Sequence, residues 1–251
     1  MKITFLGTGT SQGVPVVACP CDVCLSDDIR DKRTRTSVLL ELGDSNVVVD
    51  TGPDFRAQML KANVKHLEAV LFTHAHKDHT AGLDDIRPFN FMQNMDMPIY
   101  AESEVINVLK REFAYAFAEN KYPGVPRFEI NELDGQPFKL FNDDVTPIRV
   151  MHYKLPVLGF RIRNFTYITD ANEIEEKEIE KIKGTKILVL NALRKEKHYS
   201  HFNLEEAIEM SVKCGAEHTY FTHISHLMGK HADIKLPDNC SIAYDGLVVE
   251  V

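Results

Sequence analysis

Apolar residues along this chain gather in short runs, each closed by glycine, proline or a small polar residue. Runs of that length bounded by turn formers read as strands rather than helices. Residues 2–6 predict a strand entering a glycine turn. Ser37–Leu42 and Asn46–Asp50 predict two more, joined by Gly43-Asp44-Ser45. Further runs lie at 69–72, 98–101, 146–151, 165–169 and 218–222. Helical spacing marks three stretches. A helix is expected around 54–63. A second is expected from Ser103 to about Ala118, with Ser103 as N-cap and apolar Val105, Ile106, Val108, Leu109, Phe113 and Phe117. A third starts at Leu204 behind the N-cap Asn203. Residues 80–90 read as short helical or irregular structure, and 122–126 as a loop. Strands and helices thus alternate, as in an α/β protein. No linker and no repeat divides the chain, so one domain over residues 1–251 is expected.

Hydrophobic content of 44% and charged content of 26% are those of an ordinary globular chain, and 251 residues allow a substantial core. No apolar run is long enough to cross a membrane, and the N-terminus lacks the features of a signal peptide, so a cytoplasmic protein is expected. The net charge is −8, with no basic run beyond Lys32-Arg33-Thr34-Arg35. A long nucleic acid is therefore not an expected partner. A small anionic ester remains compatible if bound cations offset the acidic balance locally. A homodimer stays open. The Gly7-Thr8-Gly9 turn lacks the lysine of a P-loop and the third glycine of a dinucleotide site, so it reads as a tight connection.

Directly behind the run at 69–72 stands His74-Ala75-His76-Lys77-Asp78-His79. If extended backbone continues through it, His74 and His76 share a face, and Asp78 and His79 enter the same pocket past a turn. Three more β-like runs also end in metal-ligand types: His152, Asp170 and His223. Loops beyond strand ends are where α/β proteins collect their sites. Ligands arriving from several directions suit two neighbouring cations better than one. Cys19, Cys21 and Cys24 form a C-x-C-x-x-C cluster suited to a metal, whereas Cys214 and Cys240 read as buried hydrophobes.

His74-x-His76-x-Asp78-His79 with His152, Asp170 and His223 resembles the ligand set of the metallo-β-lactamase superfamily. That resemblance implies an αβ/βα four-layer sandwich. It implies one cation (Zn or Mn) on His74, His76 and His152, another on Asp78, His79 and His223, Asp170 bridging them, and Asp50 behind. Gly7-Thr8-Gly9, Gln12-Gly13-Val14-Pro15, the three cysteines, Thr222-His223-Ile224-Ser225-His226 and Asp245-Gly246 are further similar to the cyclic phosphodiesterases of the carbon–phosphorus lyase pathway. In that group the cysteines hold a structural zinc. The implied fourth ligand here is His226, with His231 as the alternative. Residues 85–135 match the group poorly, and Asp85, Arg87 and Asn90 are candidates there to read the substrate.

The resemblance implies hydrolysis of a small, cyclic phosphate diester. Two cations roughly 3.5–4 Å apart would lower the pKa of water to give the attacking hydroxide. Asp78 and His201 are the implied catalytic side chains, with His201 as general acid. By position His201 is equally a solvent-facing loop residue, and His198 is its rival. Two alternatives stay open: a tRNA 3′-processing nuclease, and a non-hydrolytic accessory protein like that of pyrroloquinoline quinone synthesis.

Overall fold

In the computed structural model, residues 1–251 are all described, and the apolar runs are strands buried on both faces. The first part of the chain forms β1 (Lys2–Gly7), β2 (Ser37–Leu42), β3 (Ser45–Val49), α1 (Phe55–Lys61), β4 (Ala69–Leu71), α2 (Lys77–Thr80), α3 (Arg87–Gln93), β5 (Met97–Glu102), α4 (Ser103–Glu112), α5 (Ala114–Phe117) and β6 (Phe128–Leu133). The second part forms β7 (Phe138–Leu140), β8 (Asp143–His152), β9 (Leu155–Ile162), β10 (Phe165–Tyr167), α6 (Glu176–Ile182), β11 (Ile187–Asn191), α7 (Leu204–Cys214), β12 (His218–Thr222), β13 (Cys240–Ile242) and β14 (Val248–Glu250). One sheet has the order β14-β1-β2-β3-β4-β5-β6 and the other β13-β12-β11-β10-β9-β8-β7. Each is antiparallel where hairpins join the strands and parallel where helices cross over.

Side-chain alternation assigns the layers. In β2, Val38 and Leu40 enter the core between the sheets, while Leu39 points to the helices outside. In β4, Ala69 and Leu71 point inward and Val70 outward; in β11, Val189 points inward and Leu188 and Leu190 outward. Strands covered on both faces lose the polar–apolar alternation of half-exposed ones, which is why they read as unbroken apolar runs. The result is the expected αβ/βα sandwich, with α1, α3 and α4 over one sheet and α6 and α7 over the other.

The helix expected over 103–118 divides at Phe113, which leaves helical backbone at φ −109° and ψ 37°. Phe113, at the break, and Ala116, beyond it, both pack into the core under α4. Ser103 is the first helical residue rather than the cap, because β5 runs on through Glu102. Asn203 does cap α7, and with Glu206 it forms a reciprocal capping box. Strands β6, β7, β9, β11, β13 and β14, and helix α6, were not anticipated from the pattern. At the far edge β14 pairs with β1, and the Met1 amine lies 3.0 Å from the Val251 carbonyl.

The carboxyl ends of β3, β4, β8, β10, β11 and β12 converge on one edge of the sandwich. Two devices hold that edge. Gly52, just past β3, lies so close to α2 that a Cβ there would collide with the Asp78 carbonyl. Asn191, the fully buried last residue of β11, accepts from the Ala171 amide at 2.7 Å and donates to its carbonyl at 2.9 Å, fixing the residue after Asp170. We expect Gly52→Ala to destabilise by about 3 kcal/mol or more, because backbone must move away from backbone. Asn191→Ala, which strands a buried amide and carbonyl, should cost about 2–4 kcal/mol. Urea unfolding measures both.

Candidate metal centre

The Asp50 carboxylate, with no exposed surface, organises the histidine loop. It accepts from the Thr73 amide at 2.9 Å, from the Thr73 hydroxyl at 2.8 Å and from His79 Nδ1 at 2.7 Å. Backbone bonds from Thr51 to His79 and from Gly82 to Thr51, each 2.8 Å, tie β3's exit to α2. His79 thus carries its proton on Nδ1 and turns Nε2 toward the cleft.

There the ligand atoms of Asp78, His79, Asp170 and His223 all lie within 4.8 Å of one another. His79 Nε2 is 3.2 Å from a carboxylate oxygen of each aspartate, and His223 Nε2 is 3.2 Å from Asp170 and 3.7 Å from Asp78. Yet His79 Nε2 and both His223 ring nitrogens are buried without a hydrogen-bonding partner. Ion-pair distances without hydrogen-bond directionality are what lone pairs aimed at a shared cation produce. The electrostatics agree. Burial opposes charge on His79, but Asp170, Asp50 and Asp78 outweigh it and raise its pKa well above the ordinary value. Burial likewise opposes charge on Asp170, but His223 and His79 hold it well below the usual carboxylate range. A buried cluster of carboxylates that pulls a proton onto an imidazole so strongly fits a divalent cation.

The remaining predicted residues meet beside this group. His74 Nε2 is 3.0 Å from His76 Nδ1, and the His152 ring centroid is 5.2 Å from that of His76 and 6.0 Å from that of His74. Burial, then His79, holds His74 well below its ordinary pKa, leaving it neutral as a ligand requires. His152 Nδ1 donates to the Ser200 carbonyl at 2.7 Å, which frees Nε2 for the cleft. His152, Asp170 and His201 form a second set of ligand atoms within 4.8 Å. Asp170 therefore stands between the two groups. Asp50, Asp170 and His223 all adopt left-handed backbone, with φ of 65°, 54° and 58°, as tight exits from strands require.

His201 is buried rather than solvent-facing. Its Nε2 lies 3.1 Å from Asp170, and Ser200 Oγ and His198 Nδ1 approach its Nδ1 at 3.1 and 3.3 Å. Burial, only partly offset by Asp170, lowers its pKa to about 4. The cleft enclosing these residues measures about 410 Å³.

Cys19, Cys21, Cys24 and His226 form a separate cluster. His226 Nδ1 is 3.3, 3.3 and 3.6 Å from the three sulfurs, and no disulfide links them. Those lengths fit the edges of a tetrahedron about an ion bound at about 2.0–2.3 Å. The Val16 amide donates to Cys24 Sγ at 3.3 Å. The Cys24 amide and His226 lower the Cys21 thiol to about 6, while burial pushes Cys24 up to about 11. His231 is not in this cluster; it faces Arg33 at 3.2 Å.

Three candidates in the 85–135 stretch do not reach the centre. Arg87 pairs with Asp84, Asn90 bonds to backbone of Met95 and Arg127, and Asp85 borders a hollow between α1 and α3. Sequence reasoning missed Thr73, Ser200 and Asn191. Asn191 had a signal, a polar residue closing the apolar run of β11. Ser200 meets His152 through its backbone carbonyl, which no side-chain pattern encodes, and His201 through its hydroxyl.

Residues 45–224, more than half of the chain, match the model of the Beta-lactamase superfamily domain. A crystal structure of a new diphosphatase from the PhnP family superposes with a TM-score of 0.92 and 37% identity, over 100% of this chain and 97% of that one. Zinc-bound PqqB from Methylobacterium extorquens has a TM-score of 0.80 at 18% identity, over the whole of both chains, a likeness of fold. Among curated proteins, an octanoyltransferase of Porphyromonas gingivalis is 40% identical over 98% of this chain. The chain spans about half (51%) of that relative, whose named activity belongs to the longer protein. No helix of this chain is long and apolar enough to cross a membrane. Fold, family model and neighbours agree: the chain belongs to the metallo-β-lactamase superfamily, in its PhnP group, and has the fold of that superfamily's metal-dependent hydrolases.

Proposed function

We propose that the chain hydrolyses a small phosphate diester, using two divalent cations, zinc or manganese, in the histidine–aspartate cleft. The observation that carries this reading is Asp170, whose carboxylate is within 3.2 Å of His79, His201 and His223 and shares a ligand cluster with His152. His74, His76 and His152 would hold one cation, Asp78, His79 and His223 the other, with Asp170 between them. When bound, such ions supply Lewis acidity to the phosphate oxygens and lower the pKa of the attacking water.

The chain's own residues do the rest. Asp50 and Ser200 orient the ligand histidines through their second nitrogens. His201 is placed to give a proton to the leaving oxygen, because its Nε2 faces Asp170 while its Nδ1 is met by Ser200. A phosphate anion arriving beside it raises its pKa from the buried value and favours the proton-carrying form. A cleft of about 410 Å³ suits a small ester rather than a polymer. The diphosphatase activity named for the PhnP-family neighbour supports a second substrate class, a diphosphate. Both reactions displace an oxygen from phosphorus, so the same residues serve either. The cysteine cluster with His226 is read as a structural zinc, since three thiolates and an imidazole leave no open position.

Bis(p-nitrophenyl) phosphate turnover should depend on added manganese or zinc and vanish after chelation. Asp170→Ala should abolish it. His201→Ala should lower kcat by about 10²–10⁴-fold with metal content unchanged, as elemental analysis would check. No turnover in fully loaded protein would refute the hydrolase reading. A cyclic ribose phosphate assayed against an organic diphosphate separates the two substrate classes. Cys21→Ser should remove one equivalent of zinc and lower the unfolding midpoint, while any soluble fraction keeps the histidine-bound ions.

A further inference from the structure

Next to the histidine–aspartate cleft lies a second hollow of about 390 Å³, and the two share His76, His152, Tyr199 and Ser200 as a common wall. Its outer side is made by Tyr153 and Lys154, the turn joining β8 to β9, and by Leu155 at the start of β9. Tyr153 is 55% exposed and Tyr199 73% exposed, so two large rings are left in water at the mouth of the centre. Their centroids are 5.8 Å apart and their planes stand at 88°, which makes a corner. Tyr199 is backed by His198, stacked at 4.5 Å and 30°, and His198 in turn lies 5.2 Å from the His201 ring. Lys154 Nζ sits 5.4 Å from the Tyr153 centroid.

The turn itself does not ask for an aromatic residue. Tyr153 is its first central position and has φ 58°. Primed hairpin turns favour glycine, asparagine or aspartate where φ is positive. Gly43 takes the corresponding position between β2 and β3, at φ 68°. Arg163 takes it between β9 and β10, at φ 54°, and there the guanidinium reaches Asp143 at 2.9 Å. Phe141 takes it between β7 and β8, at φ 55° and 44% exposed, so what sets Tyr153 apart is its place at the mouth of the cleft beside Tyr199 rather than an aromatic ring in the turn. A planar ring seated in the corner would lie face-on to one tyrosine and edge-on to the other, both favourable arrangements.

We propose that Tyr153 and Tyr199 form a stacking subsite for a heteroaromatic ring on the ester, with Lys154 at its rim for an anionic group. The substrate is then nucleotide-like rather than a bare sugar phosphate. The inference rests on the hydrolase reading above and names the substrate class for that same cleft.

Calorimetric titration of the metal-loaded protein with adenosine 5′-monophosphate and with ribose 5-phosphate tests it, since the two differ only by the base. The nucleotide should bind tighter on the order of tenfold, the scale of one base–aromatic stack. Tyr199→Leu should erase that preference and Tyr199→Phe should keep it. Tyr153→Asn should weaken the preference without lowering the melting temperature, because asparagine tolerates positive φ. Equal affinity of the wild-type protein for both ligands, no nucleotide binding, or an equal loss of both ligands in Tyr199→Leu would overturn the subsite. Bis(p-nitrophenyl) phosphate turnover with no preference for the base would sink the subsite alone. A preference for the base without turnover would sink the hydrolase reading and leave the subsite standing.

Discussion

One buried carboxylate governs the geometry of this molecule. Asp50 binds the Thr73 amide, the Thr73 hydroxyl and His79 Nδ1 at once. Three charge-assisted bonds in a dry interior leave the loop between β4 and α2 little freedom. His79 can present only Nε2 to the cleft, and the segment carrying His74 and His76 is anchored at its root. The other half of the site answers with the same kind of device. Ser200 fixes His152, and Asn191 fixes the residue beside Asp170. Orientation is thus supplied from behind the candidate ligands, by groups bonded to their second nitrogens or to the adjoining backbone.

The two sheets explain how candidate ligands so distant in sequence meet. Parallel strands place their carboxyl ends on one edge, and each sheet delivers part of the set there. Glycine at position 52 lets that edge close to backbone contact. The cysteine cluster adds a tie from outside. It joins the loop after β1 to His226, three residues beyond His223, so the exit of β12 is held on both sides.

Much of this was legible in the residues. Strands covered on both faces announce themselves as apolar runs, and ligand types at four of their ends marked the centre. The Asn203 cap could be read because capping is local chemistry, three residues wide. What stayed hidden was settled by tertiary contact. Whether Arg87 meets a substrate or Asp84 depends on which side of a helical turn faces the cleft. Asn90 looked available to a ligand and is consumed by the Met95 and Arg127 backbone. The break at Phe113 has no mark in the apolar pattern, because Phe113 and Ala116, three residues apart, would share a face of an unbroken helix as well. The aromatic corner at Tyr153 and Tyr199 joins residues 46 positions apart, beyond the reach of any local pattern.

The pairing of β14 with β1 brings Met1 against Val251. β1 then runs away from that edge toward the loop whose Thr10 and Ser11 line the cleft. Met1 and Val251 therefore share one corner of the sandwich, with β1 lying between that corner and the loop at the cleft.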